Sequence, residues 1–196
     1  MAVDRERVAA LVRDLLEAIG EDPDRPGLKQ TPQRVADAYA EFFSGVGADA
    51  AEPLAHTISV ARGPAPDTLP SGAVMVRGIR FRSFCEHHLL PFAGHAHIAY
   101  LPGEQVVGLG ALPRVVDTLA ARPQVQERLG EQIADTIAGA LDARGVLVVL
   151  DAAHECVTMR GGRQTDASTV TVAARGVYTG PAERAELIAL ISGGAA

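Results

Sequence analysis

The chain has 196 residues, of which 47% are hydrophobic and 21% are charged, so its composition is that of a globular protein and not of a disordered or collagen-like one. Acidic residues outnumber basic ones by 24 to 18, which disfavours a general nucleic-acid binder. The longest apolar run, residues 145–150, is far shorter than the roughly 20 residues that cross a bilayer. The acidic N-terminal segment and the two cysteines, Cys85 and Cys156, predict a cytoplasmic protein whose thiols are free or bind a metal.

Helical spacing of apolar residues characterises the N-terminal region. It predicts an amphipathic helix over residues 4–19. A second helix is predicted to begin at Thr31, which can cap it, with Pro32 in its first turn. Together these helices predict an N-terminal helical appendage of residues 1–50, followed by a second domain of residues 51–196.

The rest of the chain alternates between strand and helix patterns. Period-two apolar residues predict strands at 57–60, 74–84, 94–101, 146–159 and 168–177, the second of them with a bulge near Gly78. Helical spacing predicts helices at 112–121, at 125–143 and in a short C-terminal segment from Pro181. This order of elements predicts an α+β fold in which an antiparallel sheet carries helices on one face.

The densest group of reactive side chains lies in the segment SFCEHHLLPF, residues 83–92. Cys85 and His88 are three residues apart, a spacing at which both can bind one metal ion from a turn. Further along the chain, His154 and Cys156 would point to the same face of the predicted strand. Two thiolates and one imidazole suit Zn²⁺, and a three-ligand set leaves a fourth position open, as in catalytic sites. The alternative is a closed structural site with His87 or His154 as the fourth ligand.

Other polar residues near these motifs are candidates for ligand binding. His87 and His154 can exchange protons near neutral pH, although each could equally be a buried histidine of the core. Arg114 and Arg160 could each meet an anion, and the alternative for each is the more common one of a solvated surface residue. At the start of a predicted helix, the Glu127 carboxylate could accept two N–H bonds from a guanine edge or interact favourably with the helix dipole.

Several blocks of this sequence closely resemble the GTP cyclohydrolase I family. They are TPQRVADAYAEFFSG, CEHHLLPFAGHAHIAYLP, RPQVQERLGEQIA, HECVTMRGG and STVTV. The C-E-H-H and H-x-C-x-x-x-R motifs in this order are highly specific, and the similarity runs from about residue 31 to residue 191. The resemblance implies the tunnelling fold (T-fold), in which subunits pool their sheets into a barrel. It also implies a homo-oligomer, a decamer of two pentamers, with active sites between neighbouring subunits.

The resemblance also implies a reaction and a set of functional residues. Zinc-dependent hydrolysis would open the guanine imidazole ring of GTP, release formate and lead to 7,8-dihydroneopterin triphosphate, the first step of folate and pterin biosynthesis. The zinc ligands would be Cys85, His88 and Cys156. His87 would carry protons near the ribose, and His154 would protonate N7 of the purine. The remaining substrate contacts would come from Gln126, Glu127, Arg114, Arg160 and Arg34.

One segment departs from the family's pattern. The family usually has G-L-S-K where this chain has Gly108, Leu109, Gly110 and Ala111. The missing serine assists the ribose rearrangement and the missing lysine contacts phosphate, so one alternative is a specialised paralogue that stops at a ring-opened intermediate or uses another purine nucleotide. Another is a non-catalytic, nucleotide-binding zinc protein. A zinc nucleobase deaminase is a third, although its H-x-E and P-C-x-x-C motifs do not occur in this sequence.

Overall fold

The computed structural model of this chain describes residues 3–60 and 72–192 and has an α+β fold. The helices are α1 (Arg5–Ala18), α2 (Thr31–Phe42), α3 (Ala111–Ala120), α4 (Gln126–Leu141), α5 (Glu155–Thr158) and α6 (Pro181–Ser192). The strands are β1 (Thr57–Ser59), β2 (Val74–Cys85), β3 (Pro91–Leu101), β4 (Gln105–Val107), β5 (Pro123–Gln124), β6 (Gly145–His154) and β7 (Thr169–Gly176). None of the helices in these two ranges is long and apolar enough to cross a membrane.

A five-stranded sheet in the order β5-β2-β3-β6-β7 forms the centre of the fold. Its neighbouring strands are antiparallel except β5, which pairs in parallel with the end of β2, so the sheet is mixed where the sequence predicted an antiparallel one. The β2–β3 register shifts between Val76 and Ile79, which confirms the bulge predicted near Gly78. Strands β4 and β5, of three and two residues, were not predicted.

The two faces of the sheet carry separate apolar layers. On one face, Ile98 and Val148 belong to the main core, which α3 and α4 cover. On the other face, Leu147 packs in a smaller cluster with Tyr178 and with Leu187 of α6. The prediction that helices cover one face is therefore correct for α3 and α4 and wrong for α6. Strand β6 is apolar on both faces, so both faces need a cover.

The N-terminal helices α1 and α2 pack against each other. The structure confirms the first predicted helix, and the Asp4 side chain caps it by accepting the Arg7 N–H at 3.0 Å. The prediction that Thr31 caps α2 is wrong, because Gln30 already has helical backbone angles and its carbonyl accepts the Arg34 N–H. Thr31 is therefore the first helical residue. The division of the chain at residue 50 stays a prediction.

Candidate metal centre

Three potential metal ligands meet beside the C-terminal ends of β2 and β6. The Sγ atoms of Cys85 and Cys156 and an imidazole nitrogen of His88 all lie within 4.8 Å of one another. Cys85 is buried, Cys156 is half-buried and His88 is exposed. In residues 3–60 and 72–192, no other three His, Cys, Asp or Glu side chains are grouped in this way. The structure thus brings together the three residues that the sequence selects as zinc ligands, and we call them the ligand trio.

Backbone hydrogen bonds form the turn that returns His88 towards Cys85. The Cys85 N–H donates to the Leu90 carbonyl at 2.9 Å, and the Leu89 N–H donates to the Cys85 carbonyl at 2.8 Å. Leu89 has a φ of 51°, in the left-handed region that is uncommon for residues other than glycine. The turn is therefore tight, and it places His88 on the same side of the sheet end as the Cys85 thiol.

Cys156 reaches the trio from a helical turn and not from a strand. The strand predicted over residues 146–159 ends at His154, and α5 follows at once. Register explains the difference: His154 pairs with Phe92, so the next pair would involve Pro91, which has no N–H to continue the ladder. The expectation that His154 and Cys156 share one strand face is therefore wrong, although both residues still lie at this end of the sheet.

The donor set fits a soft divalent cation. Burial raises the pKa of the Cys156 thiol, and the neighbouring Cys85 sulfur raises it further because two thiolates repel each other. A bound cation reverses this effect, since it stabilises both thiolates. Two sulfurs and one imidazole have the chemistry of a Zn²⁺ site. Neither His87 nor His154 belongs to the trio, so the described residues favour a three-ligand site over the closed structural alternative.

The two remaining histidines of these motifs lie in different environments. The His154 ring stacks on Phe92 with its centroid at 4.6 Å and its plane within 2°. Its Nδ1 atom is buried, and no described residue offers it a hydrogen bond. The His87 side chain is exposed, with its ring centroid 6.3 Å from that of His88. His154 therefore has a fixed ring plane and an unused nitrogen, whereas His87 can exchange protons with solvent.

Gln126 and Glu127 are the first two residues of α4, and their side chains differ in burial and in hydrogen bonding. The Gln126 Nε2 atom donates to the carbonyls of Leu150 and Thr169 at 3.1 and 2.8 Å and to the Thr171 Oγ1 at 3.2 Å. Its Oε1 atom is buried without a partner among the described residues. Glu127 is exposed and lines a cavity of about 260 Å³ beside β7. The structural role of Gln126 had no signal in the sequence, because its partners are 24 to 45 residues away.

The three arginines expected to bind phosphate lie on different elements. Arg114 in α3 forms an ion pair with Glu52 at 3.1 Å. Arg34 in α2 donates to the Gln30 Oε1 at 2.7 Å, and Arg160 follows α5 and is exposed. The walls of the 260 Å³ cavity contain none of these three arginines. Their role in phosphate binding stays a prediction.

The fold and the site define a class of protein, namely an α+β protein with a candidate three-ligand metal site at the end of its sheet. The model of the family described as GTP cyclohydrolase I matches residues 8–192. A GTP cyclohydrolase 1 of Leifsonia xyli subsp. xyli is 63% identical over 193 residues, which cover 98% of each chain. A GTP cyclohydrolase 1 of Rhodopirellula baltica is 51% identical over 191 residues, covering 97% of this chain and 80% of that protein. The chain belongs to the GTP cyclohydrolase I family.

Proposed function

We propose that this protein is a zinc-dependent, cytoplasmic GTP cyclohydrolase. It opens the guanine imidazole ring of GTP by hydrolysis, releases formate and forms 7,8-dihydroneopterin triphosphate for folate and pterin synthesis. The observation that carries the proposal is the meeting of Cys85, His88 and Cys156, whose ligand atoms lie within 4.8 Å of one another. Membership of the family and the names of the relatives support GTP as the substrate.

The ligand trio would hold the zinc ion. Bound zinc supplies a Lewis acid, which lowers the pKa of water to about 7 and so makes a nucleophile available at neutral pH. Cys85 is held by β2 and by the backbone bonds of its turn, so it provides a rigid ligand. His88 lies on the exposed side of the trio, where a nucleotide can approach.

The two other histidines would move protons. His154 presents a buried, unpartnered Nδ1 atom, and a proton held there could be given to N7 of the purine, which makes C8 more electrophilic. Stacking on Phe92 keeps the imidazole plane constant during this transfer. His87, which is exposed, would exchange protons between the ribose and solvent.

The start of α4 would recognise the base. The free Glu127 carboxylate can accept the N1–H and 2-amino groups of guanine in a bidentate arrangement. The buried Gln126 Oε1 can accept a further N–H. A buried acceptor without a partner costs about 1–3 kcal/mol, so a ligand that satisfies it binds more tightly. Arg114, Arg160 and Arg34 would then contact the triphosphate.

The open edges of the sheet support a ring of subunits with the tunnelling fold, a decamer of two pentamers. Strand β7 forms one edge and exposes Val170 and Val172. On the opposite edge, β5 pairs with only two residues of β2, and no other strand among the described residues pairs with that side of β2. Pairing β2 of one copy with β7 of the next would remove both edges.

The segment before α3 favours a second candidate function. Gly110 is exposed and Ala111 is half-buried at the start of this helix, and neither side chain offers a hydroxyl or a charge. If nothing replaces these groups, the late sugar rearrangement is slow and a ring-opened formamide or pyrimidine nucleotide accumulates. This specialised paralogue would share the zinc chemistry and differ in its product or preferred purine nucleotide.

Product analysis after incubation of the zinc-loaded protein with GTP tests these proposals. We expect formate, together with a pterin that becomes fluorescent after oxidation. Cys156→Ser should lose bound zinc and more than about a hundredfold in formate release, whereas His56→Ala, at an exposed histidine outside the trio, should retain both.

Formate without pterin would support the specialised paralogue, and ammonia without formate would support a deaminase. GTP binding without any product would support the non-catalytic alternative and reject the proposed activity.

A further inference from the structure

Of three consecutive residues at the start of α4, the first and third are anchored by their side chains and the second is not. Gln126 is bound to β6 and β7 through its side-chain amide. Arg128 forms a bidentate ion pair with Glu86, with Nη1–Oε2 at 2.6 Å and Nη2–Oε1 at 3.2 Å. Glu127, between them, makes no hydrogen bond or ion pair with the described part of the chain. Successive helical residues point about 100° apart, so the two anchors fix the first turn and leave the middle carboxylate free.

Glu86 belongs to the same turn as the metal ligands. It follows Cys85 directly, and its N–H donates to the Gln124 carbonyl at 3.0 Å. Cys85 itself pairs with Gln124 in the short parallel ladder. The ligand turn is therefore joined by backbone bonds to the segment that leads into α4, and the Glu86–Arg128 pair adds a side-chain connection.

We propose that Glu86 and Arg128 are positioning residues for recognition of the nucleobase. Their ion pair holds the first turn of α4 against the ligand turn and so sets where the Glu127 carboxylate lies relative to the ligand trio. The inference rests on the proposed function, because it takes Glu127 as the acceptor for the guanine edge. The side chains of Arg128 and Glu86 are 49% and 32% exposed, so the pair contributes little to overall stability. Its effect is on geometry.

A comparison of GTP with inosine triphosphate reports the position of Glu127. Guanine offers the carboxylate two N–H donors, N1–H and the 2-amino group, whereas hypoxanthine offers only N1–H. A carboxylate in the right place therefore favours GTP, and a displaced one loses part of that preference. A loss of folding or of zinc lowers kcat/KM for both nucleotides by the same factor. The ratio of the two values thus separates a positioning role from a structural one.

The experiment measures kcat/KM of formate release for both nucleotides, with zinc content determined for every zinc-loaded variant. Glu127→Gln should remove most of the preference for GTP. Glu86→Gln and Arg128→Gln should each lower the GTP/ITP ratio by about two-fold to five-fold. The exchanged pair, Glu86→Arg with Arg128→Glu, should restore part of it. As a matched control, Arg13→Gln removes an exposed two-pronged pair with Asp24, at 2.7 and 3.0 Å in the N-terminal region, and should leave the ratio unchanged.

The outcomes distinguish this inference from the proposed function. An unchanged ratio in both Glu86→Gln and Arg128→Gln overturns the inference while leaving the activity intact, and so does an unchanged ratio in Glu127→Gln. If the unsubstituted protein releases no formate from either nucleotide, the proposed function is wrong. The preference is then measured as the dissociation constant of ITP divided by that of GTP, and the inference is again rejected if the substitutions at the pair do not lower this ratio.

Discussion

At the scale of single residues, the proposed chemistry uses two buried polar atoms without partners as well as the ligand trio. The Gln126 Oε1 and the His154 Nδ1 are buried and unpaired among the described residues. Buried polar atoms are nearly always hydrogen-bonded, so such exceptions mark places where a water molecule or a ligand group is expected. The residue types were visible in the sequence, but their burial and lack of partners follow only from the fold.

Restoring the missing serine and lysine tests the phosphate end of the site. Gly110 has a φ of -69°, and a Cβ atom there would meet no atom within 4 Å, so Gly110→Ser should fit without strain, and Ala111→Lys adds the charge at the next, half-buried position. A charged hydrogen bond contributes about 1.5–3 kcal/mol, so the double substitution should tighten GTP binding by about tenfold or more. It should also raise the yield of pterin per formate. Calorimetric titration and product analysis measure these effects.

A lysine placed far from the start of α3 tests whether tighter GTP binding comes from a local phosphate contact or from added positive charge in general. Ala140→Lys adds the same charge on an exposed position near the end of α4. It should leave the dissociation constant of GTP unchanged within about twofold, since screened charges act over about 10 Å. Equal constants for this control and for Gly110→Ser with Ala111→Lys would show that the start of α3 does not contact phosphate.

At the scale of elements, the distance between neighbouring backbones decides which glycines are required. In β3, a Cβ atom at Gly94 would lie 1.9 Å from the Asp151 carbonyl oxygen of β6 and 2.8 Å from the Ala152 Cβ atom. In α4, a Cβ atom at Gly139 would meet nothing within 4 Å. Glycine is thus required at position 94, where β3 and β6 approach closely. At position 139 it is not required, and it lowers the stability of the helix.

Alanine at these two glycines should therefore change stability in opposite directions. Gly139→Ala should stabilise the folded protein by about 0.5–1 kcal/mol, because alanine loses less conformational entropy in a helix. Gly94→Ala should destabilise it by more than about 2 kcal/mol, because β3 and β6 must separate. Thermal unfolding of the two zinc-loaded variants measures both effects. Shifts of the same sign would contradict the strand spacing described here.

At the scale of the whole molecule, the sheet has two edges, β7 on one side and β2 with the short β5 on the other, and no further strand of residues 3–60 and 72–192 pairs with either of them. Strand β7 exposes Val170 and Val172, which are 58% and 44% accessible. Exposed apolar edge strands favour pairing with further chains. Identical subunits joined head to tail through two different edges close into a ring when the rotation permits. This is the physical basis for the proposed oligomer.

A lysine on the β7 edge should break that ring. Val170→Lys places a charged side chain at the proposed seam between β7 and β2 of the next copy, where it adds an unfavourable desolvation cost. Light scattering after gel filtration should show a shift from the oligomer towards single chains, with loss of formate release if the active sites are shared. Val46→Lys, at a 41% exposed valine outside the strands, provides the control and should retain the oligomer. An unchanged mass for Val170→Lys would reject the edge-pairing model.

The sequence by itself determined the main elements, the bulge near Gly78 and the residues of the ligand trio. Helical and strand periods are local properties, and cysteine next to histidine is rare enough to select a metal site. The resemblance to a known family added the reaction and the substrate, which periodicity and composition do not contain.

Only the tertiary structure decided where β6 ends, that Cys156 reaches the trio from a helical turn, and that α6 covers the second face of the sheet. The Glu86–Arg128 pair likewise joins residues 42 positions apart. These features depend on strand register and on contacts between distant segments. Such contacts form when the apolar surfaces of the whole chain are buried together, so no local pattern in the sequence reports them.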